Sequence, residues 1–374
     1  MVRREENVNR TAHRPYFLLI LAMFTGIACQ GKKAEEPEPQ GSAAPAAAPE
    51  PEKPQHIKLQ GAGASFPAPL YTRWFKTYGQ AHPNVQIDYQ SVGSGSGVKA
   101  VIDKTVDFGA SDAAMSAEEI ARVPAGVQLL PMTAGEIVLT YNLEGVASLK
   151  LSRKAYTGIF LGQIKKWNDP AIASVNPGVK LPNTPINVVV RADSSGTTFV
   201  YTKHLSEISP EFAKSPGVNK MPNWPVGTRS KGNEGVTASV KTTPGSIGYI
   251  EYGYAASQKL PMATLENKSG AYVAPTSASG QAALAAATMP DDMIVWASDP
   301  EGAEAYPIVT YTWLILYKQY PDEKKLETLR DFVKFAVTEG QAVSEELGYI
   351  PLPAAVVEKV KAAVDSVKLA SNAT

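Results

Sequence analysis

Between Ile57 and Glu119 the same order of events occurs three times: a short apolar run, a turn carrying serine or aspartate, then a segment whose apolar residues have helical spacing. Ile57-Lys-Leu-Gln60 runs into Gly61-Ala-Gly-Ala-Ser-Phe66, and Pro67 opens a segment with Leu70, Trp74, Phe75 and Tyr78 on one face. Val85-Gln-Ile-Asp-Tyr89 leads into Gly93-Ser-Gly-Ser-Gly97 and a short helix around Val98 to Ile102. Val106-Asp-Phe-Gly-Ala-Ser-Asp112 ends in a polar turn, after which Ser116 caps a helix with Glu118 and Glu119 in its first turn. Alternation of this kind predicts an α/β fold with a largely parallel sheet, whose strand ends converge on one crevice.

The later chain continues in the same manner. Gly135-Glu-Ile-Val-Leu-Thr-Tyr-Asn142 is a strand long enough to cross into a second lobe, and Ala305 to Tyr317 is a candidate return crossing. Lys154 to Leu161, Tyr252 to Gln258, Ala278 to Thr288, Lys324 to Leu347 and Pro353 to Val367 read as helices, and Gly245-Ser-Ile-Gly-Tyr-Ile250 as a strand. After the β-branched run Ile186-Asn-Val-Val-Val190 comes Arg191-Ala-Asp-Ser-Ser-Gly-Thr-Thr198, then a helical segment from Phe199 to Leu205. A turn of that composition presents hydroxyls and backbone N–H groups at a helix N-terminus, which is an anion site. Arg191 adds a planar cation, while Asp193 can orient it or accept a proton from the ligand.

At 374 residues with 44% apolar and 19% charged, the chain has material for two lobes with a substantial core. Its 36 basic and 36 acidic residues give no global field that would argue for nucleic acid as a partner. One cysteine, Cys29, excludes an internal disulfide and any Cys-rich metal site. Arginines 3, 4, 10 and 14 precede the apolar run Tyr16 to Phe24, and Thr25-Gly-Ile-Ala-Cys29 follows, the layout of a secretory signal over residues 1–28. Its end resembles a bacterial lipoprotein signal, which implies cleavage before Cys29 and a lipid on that residue as membrane anchor. An ordinary signal with an incidental cysteine has the same layout. Residues 30–56 hold six prolines and no large apolar side chain, so 29–56 is read as the lipidated cysteine and a disordered tether.

Catalytic motifs are poorly represented. In Gly61-Ala-Gly-Ala-Ser-Phe66 the third glycine of a dinucleotide fingerprint is Phe66, and Lys231-Gly-Asn lacks the order of a phosphate-binding P-loop. Gly93-Ser-Gly-Ser-Gly97 has glycine where a nucleophile elbow requires serine. His82 lies in a loop beside Pro83, and His204 is expected at a helix end facing the dipole or solvent, which leaves no convincing base for a triad. What the turns do offer together is hydroxyls, N–H groups, one arginine and carboxylates, a set suited to a small tetrahedral oxyanion. A phosphatase using the same cradle is the competing class; it would need a nucleophile beside a base, or a metal cluster.

Gly61-Ala-Gly-Ala-Ser-Phe-Pro-Ala-Pro69, Gly93-Ser-Gly-Ser-Gly-Val-Lys99, Val106 to Asp112, Gly162-Gln-Ile-Lys-Lys-Trp-Asn168, Arg191 to Thr197, Lys231-Gly-Asn-Glu-Gly235 and Gly245 to Tyr252 resemble, in order and spacing, the periplasmic phosphate-binding proteins of bacterial ABC transporters. The resemblance runs from about Ile57 to Val367. It implies a two-lobed α/β periplasmic-binding-protein fold, type II-like, with two crossing hinge strands. Lobe I is then 57–138 plus 309–374 and lobe II is 139–308. It further implies phosphate ligands Ser65, Phe66 (through its N–H), Ser94, Asp112 as acceptor of the ligand's proton, Arg191, Asp193 as its positioner, Ser195, Gly196 and Thr197. Ser65 stands where the family usually has Thr, and Ser194 where it often has Gly. A monomer without a cofactor or catalytic activity, delivering phosphate to membrane permease subunits, is the expectation. A binder of sulfate or arsenate and a tethered phosphate sensor are its near alternatives.

Overall fold

Eight strands form one sheet in the computed structural model, which describes residues 56–285 and 287–371. The signal segment, Cys29 and the tether up to residue 55 lie outside the described residues. In chain order the strands are β1 Ile57–Gly63, β2 Val85–Ser91, β3 Phe108–Ser111, β4 Val127–Asn142, β5 Asn187–Arg191, β6 Thr228–Ser230, β7 Ser246–Glu251 and β8 Val309–Tyr317. Across the sheet they run β2-β1-β3-β8-β4-β7-β5-β6. β1 is parallel to both β2 and β3, and β5 is parallel to both β6 and β7. Both parallel sets come from strand-turn-helix units, as the alternation in the sequence requires.

β4 joins the two halves of the sheet. Its residues Val127 to Glu136 face β8, and Ile137 to Asn142 face β7, both antiparallel. The sequence expectation began this strand at Gly135, eight residues late. The added segment contains Pro131, which donates no hydrogen bond to a ladder. The structure accommodates it where the register of β8 slips between Thr312 and Trp313. The return passage also differs: the strand expected from Ala305 begins at Val309, after Pro307. Just before it, Ile308 accepts the Ile137 N–H at 2.9 Å, so both crossings lie side by side.

Aromatic clusters fill the core on either side of that junction. Tyr71, Phe75, Tyr89, Phe108 and Phe332 pack together in the half containing β1, while Phe160, Tyr201, Trp224 and Tyr249 pack in the half containing β5. Each such side chain stabilises the fold by roughly 1.5–3 kcal/mol when fully buried. The helix expected from Lys324 to Leu347 stops at Val337 and is followed by two short 3-10 turns. There Trp74 Nε1 donates to the Gly340 carbonyl at 2.7 Å, and a side chain at 340 would collide with the indole. A contact across more than two hundred residues thus ends the helix.

Candidate functional site

The strand register levels three turns. Gly63 pairs with Ser91 on one side and Ala110 on the other, so the chain leaves β1, β2 and β3 at the same height. Ser65, the helix Ser94–Ile102 and Asp112 therefore emerge side by side. Gly97 makes this possible: a Cβ there would lie 2.5 Å from Gly63 Cα, so only glycine lets the helix sit on the strand end. In the other half Arg191 pairs with Ser230, which brings the helix Gly196–Ile208 and the helix Gly232–Thr242 to one level.

Polar groups from the two halves meet directly. Ser65, Ser94, Asp112, Arg191, Ser195 and Thr197 are all buried, Asp112 with 1% and Arg191 with 2% of its surface exposed. Asp112 Oδ1 accepts from Thr312 Oγ1 at 2.9 Å, and Oδ2 accepts from Thr197 Oγ1 at 3.4 Å. Its backbone N–H donates to Ser94 Oγ at 3.2 Å. Arg191 grips Asp193 with two bonds, Nε to Oδ1 at 2.9 Å and Nη2 to Oδ2 at 2.6 Å, and its Nη1 donates to Thr197 Oγ1 at 3.3 Å. The Gly232 N–H also donates to Asp193, at 3.0 Å. Gly196 lies so close to the opposite turn that a Cβ would be 2.4 Å from Ser94 Oγ. At the rim, Gly95 N–H donates to the Ser194 carbonyl at 2.9 Å and Lys220 Nζ stands 3.0 Å from Glu119.

Charges in this cluster are displaced from their ordinary states. Burial pushes the Asp112 carboxyl up to about 7, against the opposing pull of Thr312, Arg191 and Thr197. Burial works the same way on Asp193, but the Arg191 guanidinium and the Gly232 N–H outweigh it and hold that carboxyl below its usual range. Arginine and Asp193 thus form an internally neutral pair, with Asp112 as the titrating group.

Some expected residues have other commitments. Ser195 caps its helix, its Oγ accepting from Thr198 N–H at 3.0 Å, while its own N–H donates to the Lys220 carbonyl at 2.9 Å. Phe66 is fully buried with its ring against Gly135, and its carbonyl accepts from Tyr349 at 2.7 Å. His204 corrects the sequence reading: it is neither terminal nor solvated but fully buried within Gly196–Ile208, bonded through Nε2 to Tyr156 Oη at 2.9 Å. Burial pushes its pKa down to about 3, and the side chain serves the core. Two cluster residues escaped the sequence reading. Thr312 hides in the apolar strand β8, where a threonine among large hydrophobics was the available signal. Asn233 stands in the Lys231-Gly-Asn turn at the start of the helix Gly232–Thr242, where its composition signals a turn and no partner.

The two-part sheet and its buried polar junction define a solute-binding protein of the PBP superfamily, whose domain model matches residues 40–339. Within that class, the chain belongs to the family of phosphate-binding proteins PstS. It is 42% identical over 310 residues to the PstS of Pasteurella multocida, covering 81% of this chain and 89% of that protein. Identity is 38% over 318 residues to the PstS of Xylella fastidiosa, covering 84% and 86%. It is 39% over 344 residues to the PstS of Methanocaldococcus jannaschii, covering 85% and 88%. Among solved structures, a high affinity periplasmic phosphate-binding protein (PfluDING) bound with phosphate shares the fold with a TM-score of 0.69 at 22% identity, over 82% of this chain and 93% of that one. A phosphate binding protein from Stenotrophomonas maltophilia gives 0.67 at 23% identity, over 82% and 93%.

Proposed function

We propose that this protein binds inorganic phosphate in the periplasm, between two lobes, and supplies it to an ABC permease. The observation that carries the reading is the buried Asp112, held by Thr312 and Thr197 beside a neutralised arginine and among hydroxyl and N–H donors. Such a set offers many hydrogens and one acceptor, the complement of an oxyanion that retains one proton. Ser65, Ser94, Arg191, Ser195 and Thr197 act as side-chain donors, Phe66 and Gly196 as backbone donors, and Asp193 orients Arg191. Asp112 accepts the ligand's O–H.

Direct contacts such as Thr197 to Asp112 at 3.4 Å and Gly95 to Ser194 at 2.9 Å close the approach, so entry needs the halves to part. We assign residues 57–138 plus 309–374 to one lobe and 139–308 to the other. The hinge is then the stretch of β4 around Ile137 with its neighbour Ile308. A lipid on Cys29 would anchor the monomer by its tether, leaving both lobes free to meet the permease. The relatives named above are binding proteins rather than enzymes, which favours transport over phosphate hydrolysis.

Calorimetric titration of the purified chain with phosphate, sulfate and arsenate tests the reading. Tight phosphate binding with weak sulfate binding is expected; a preference for sulfate would transfer the assignment to another oxyanion, and silence with all three would end it. X-ray scattering should register a smaller radius of gyration with phosphate.

A further inference from the structure

Asn233 touches a hydroxyl from each half of the site. Its Nδ2 donates to Ser65 Oγ at 2.9 Å and to Thr197 Oγ1 at 3.2 Å, and its backbone N–H donates to Ser65 Oγ at 3.0 Å. The other end of the amide fixes this orientation, because Oδ1 accepts the Glu251 N–H at 3.0 Å. Reversing the amide would set two donors against each other there. The residue is fully buried at the start of a helix, and its carbonyl accepts from Thr237 Oγ1 at 2.7 Å, so the side chain stands on a rigid base.

A hydroxyl oxygen has two lone pairs and one proton. Ser65 Oγ receives two N–H groups from Asn233, which occupies both lone pairs and leaves only the proton to offer. Thr197 Oγ1 receives Asn233 Nδ2 and Arg191 Nη1, so its single proton, within reach of Asp112, is all that it has left to offer. Resting on the phosphate-site reading above, we propose that Asn233 is a positioning residue that fixes the polarity of both hydroxyls, making Ser65 and Thr197 obligate donors to the ligand. The need is acute at Ser65, where the methyl of a threonine would otherwise restrict the rotamer. A site whose hydroxyls can only donate favours the ligand with the most unprotonated oxygens, here the phosphate dianion over the monoanion.

The test is a mutant cycle on the full chain, read by phosphate calorimetry at about pH 5.5 and about pH 8.5. Asn233→Ala is expected to weaken binding by roughly tenfold to a hundredfold at the higher pH. At the lower pH the loss should be several-fold smaller, because a released Ser65 hydroxyl can accept from the monoanion. In a Ser65→Ala/Thr197→Val background the same substitution should change affinity by less than about threefold. Asn233→Ser, polar but too short to reach both hydroxyls, goes through the same cycle in case the alanine variant folds poorly. An equal loss at both pH values, or the same loss with and without the two hydroxyls, overturns the proposal while leaving the phosphate site intact. Failure of the unmodified chain to bind phosphate overturns the site reading and this inference with it.

Discussion

The carboxyl of Asp112 should make discrimination against sulfate depend on pH. Its pKa of about 7 leaves it largely neutral below that value and ionised above it. Phosphate brings its own proton to an ionised Asp112, whereas sulfate brings none. Closing on sulfate therefore requires Asp112 to take a proton from solution, at ~1.4 kcal/mol for each pH unit above its pKa. Leaving both groups charged would cost about 4 kcal/mol at ~4 Å and an effective dielectric near 20, so proton uptake is still the cheaper route at about pH 9. There it amounts to ~2.7 kcal/mol, roughly a hundredfold in affinity, against about twofold at pH 7. Phosphate and sulfate titrations between about pH 6 and about pH 9, repeated in buffers of different ionisation enthalpy, measure both the ratio and the proton taken up. Asp112→Asn should flatten the profile, since its amide donates to either ligand at any pH. A phosphate-to-sulfate ratio that stays constant across this range in the unmodified chain, or a slope that survives in the asparagine variant, would refute the reasoning.

Other perturbations separate closure, stability and charge. Gly196→Ala places a methyl 2.4 Å from Ser94 Oγ and 2.7 Å from Asp112 Cβ, so phosphate affinity should fall at least about tenfold and the ligand-induced compaction seen by scattering should shrink. Arg191→Lys keeps the charge but loses the two-point grip on Asp193, and calorimetry should show a loss of about 2–3 kcal/mol in phosphate binding. Glu136, buried at the crossing beneath Ser279, has its carboxyl pushed up to about 8 by burial. A raised carboxyl pKa favours the folded state fully only below the unfolded value near 4.5, and that advantage is lost as pH rises through about 8. Glu136→Gln should match the parent near pH 4 and exceed it by up to about 5 kcal/mol near pH 9, as judged by denaturant midpoints. Identical pH profiles for the two would remove Glu136 from this role.

What could be read in advance was the local chemistry of the turns. Gly93 to Gly97 and Arg191 to Thr198 are short segments in which glycine, serine and aspartate can do little else than end a strand and open a helix, and both do. Features set by distant partners were illegible. Thr312 meets Asp112 across 200 residues and Asn233 meets Ser65 across 168, and in neither case does the neighbourhood in the chain identify the partner. His204 shows the same limit: its position near a helix end suggested solvent, whereas Tyr156, 48 residues earlier, covers it. The helix expected from Lys324 to Leu347 shows it too, because an indole from elsewhere meets the chain at Gly340, beyond its end at Val337.

If phosphate binds at the proposed site, attraction by net charge cannot be what recognises it. The bidentate link to Asp193 cancels the charge of Arg191, and Asp112 adds a further negative charge whenever it is ionised. What remains is directional. The helices beginning at Ser94 and Gly196 each present an N-terminus equivalent to roughly half a positive charge, as N–H groups that no cation could replace geometrically. The third helix start, at Gly232, is directed instead at Asp193 and Ser65, through the N–H groups of Gly232 and Asn233. It keeps Asp193 ionised and the Ser65 oxygen occupied. On the site proposed above, recognition would depend on matching lone pairs to hydrogens one by one, and a site built so would distinguish oxyanions of equal size by the protons they carry rather than by their charge.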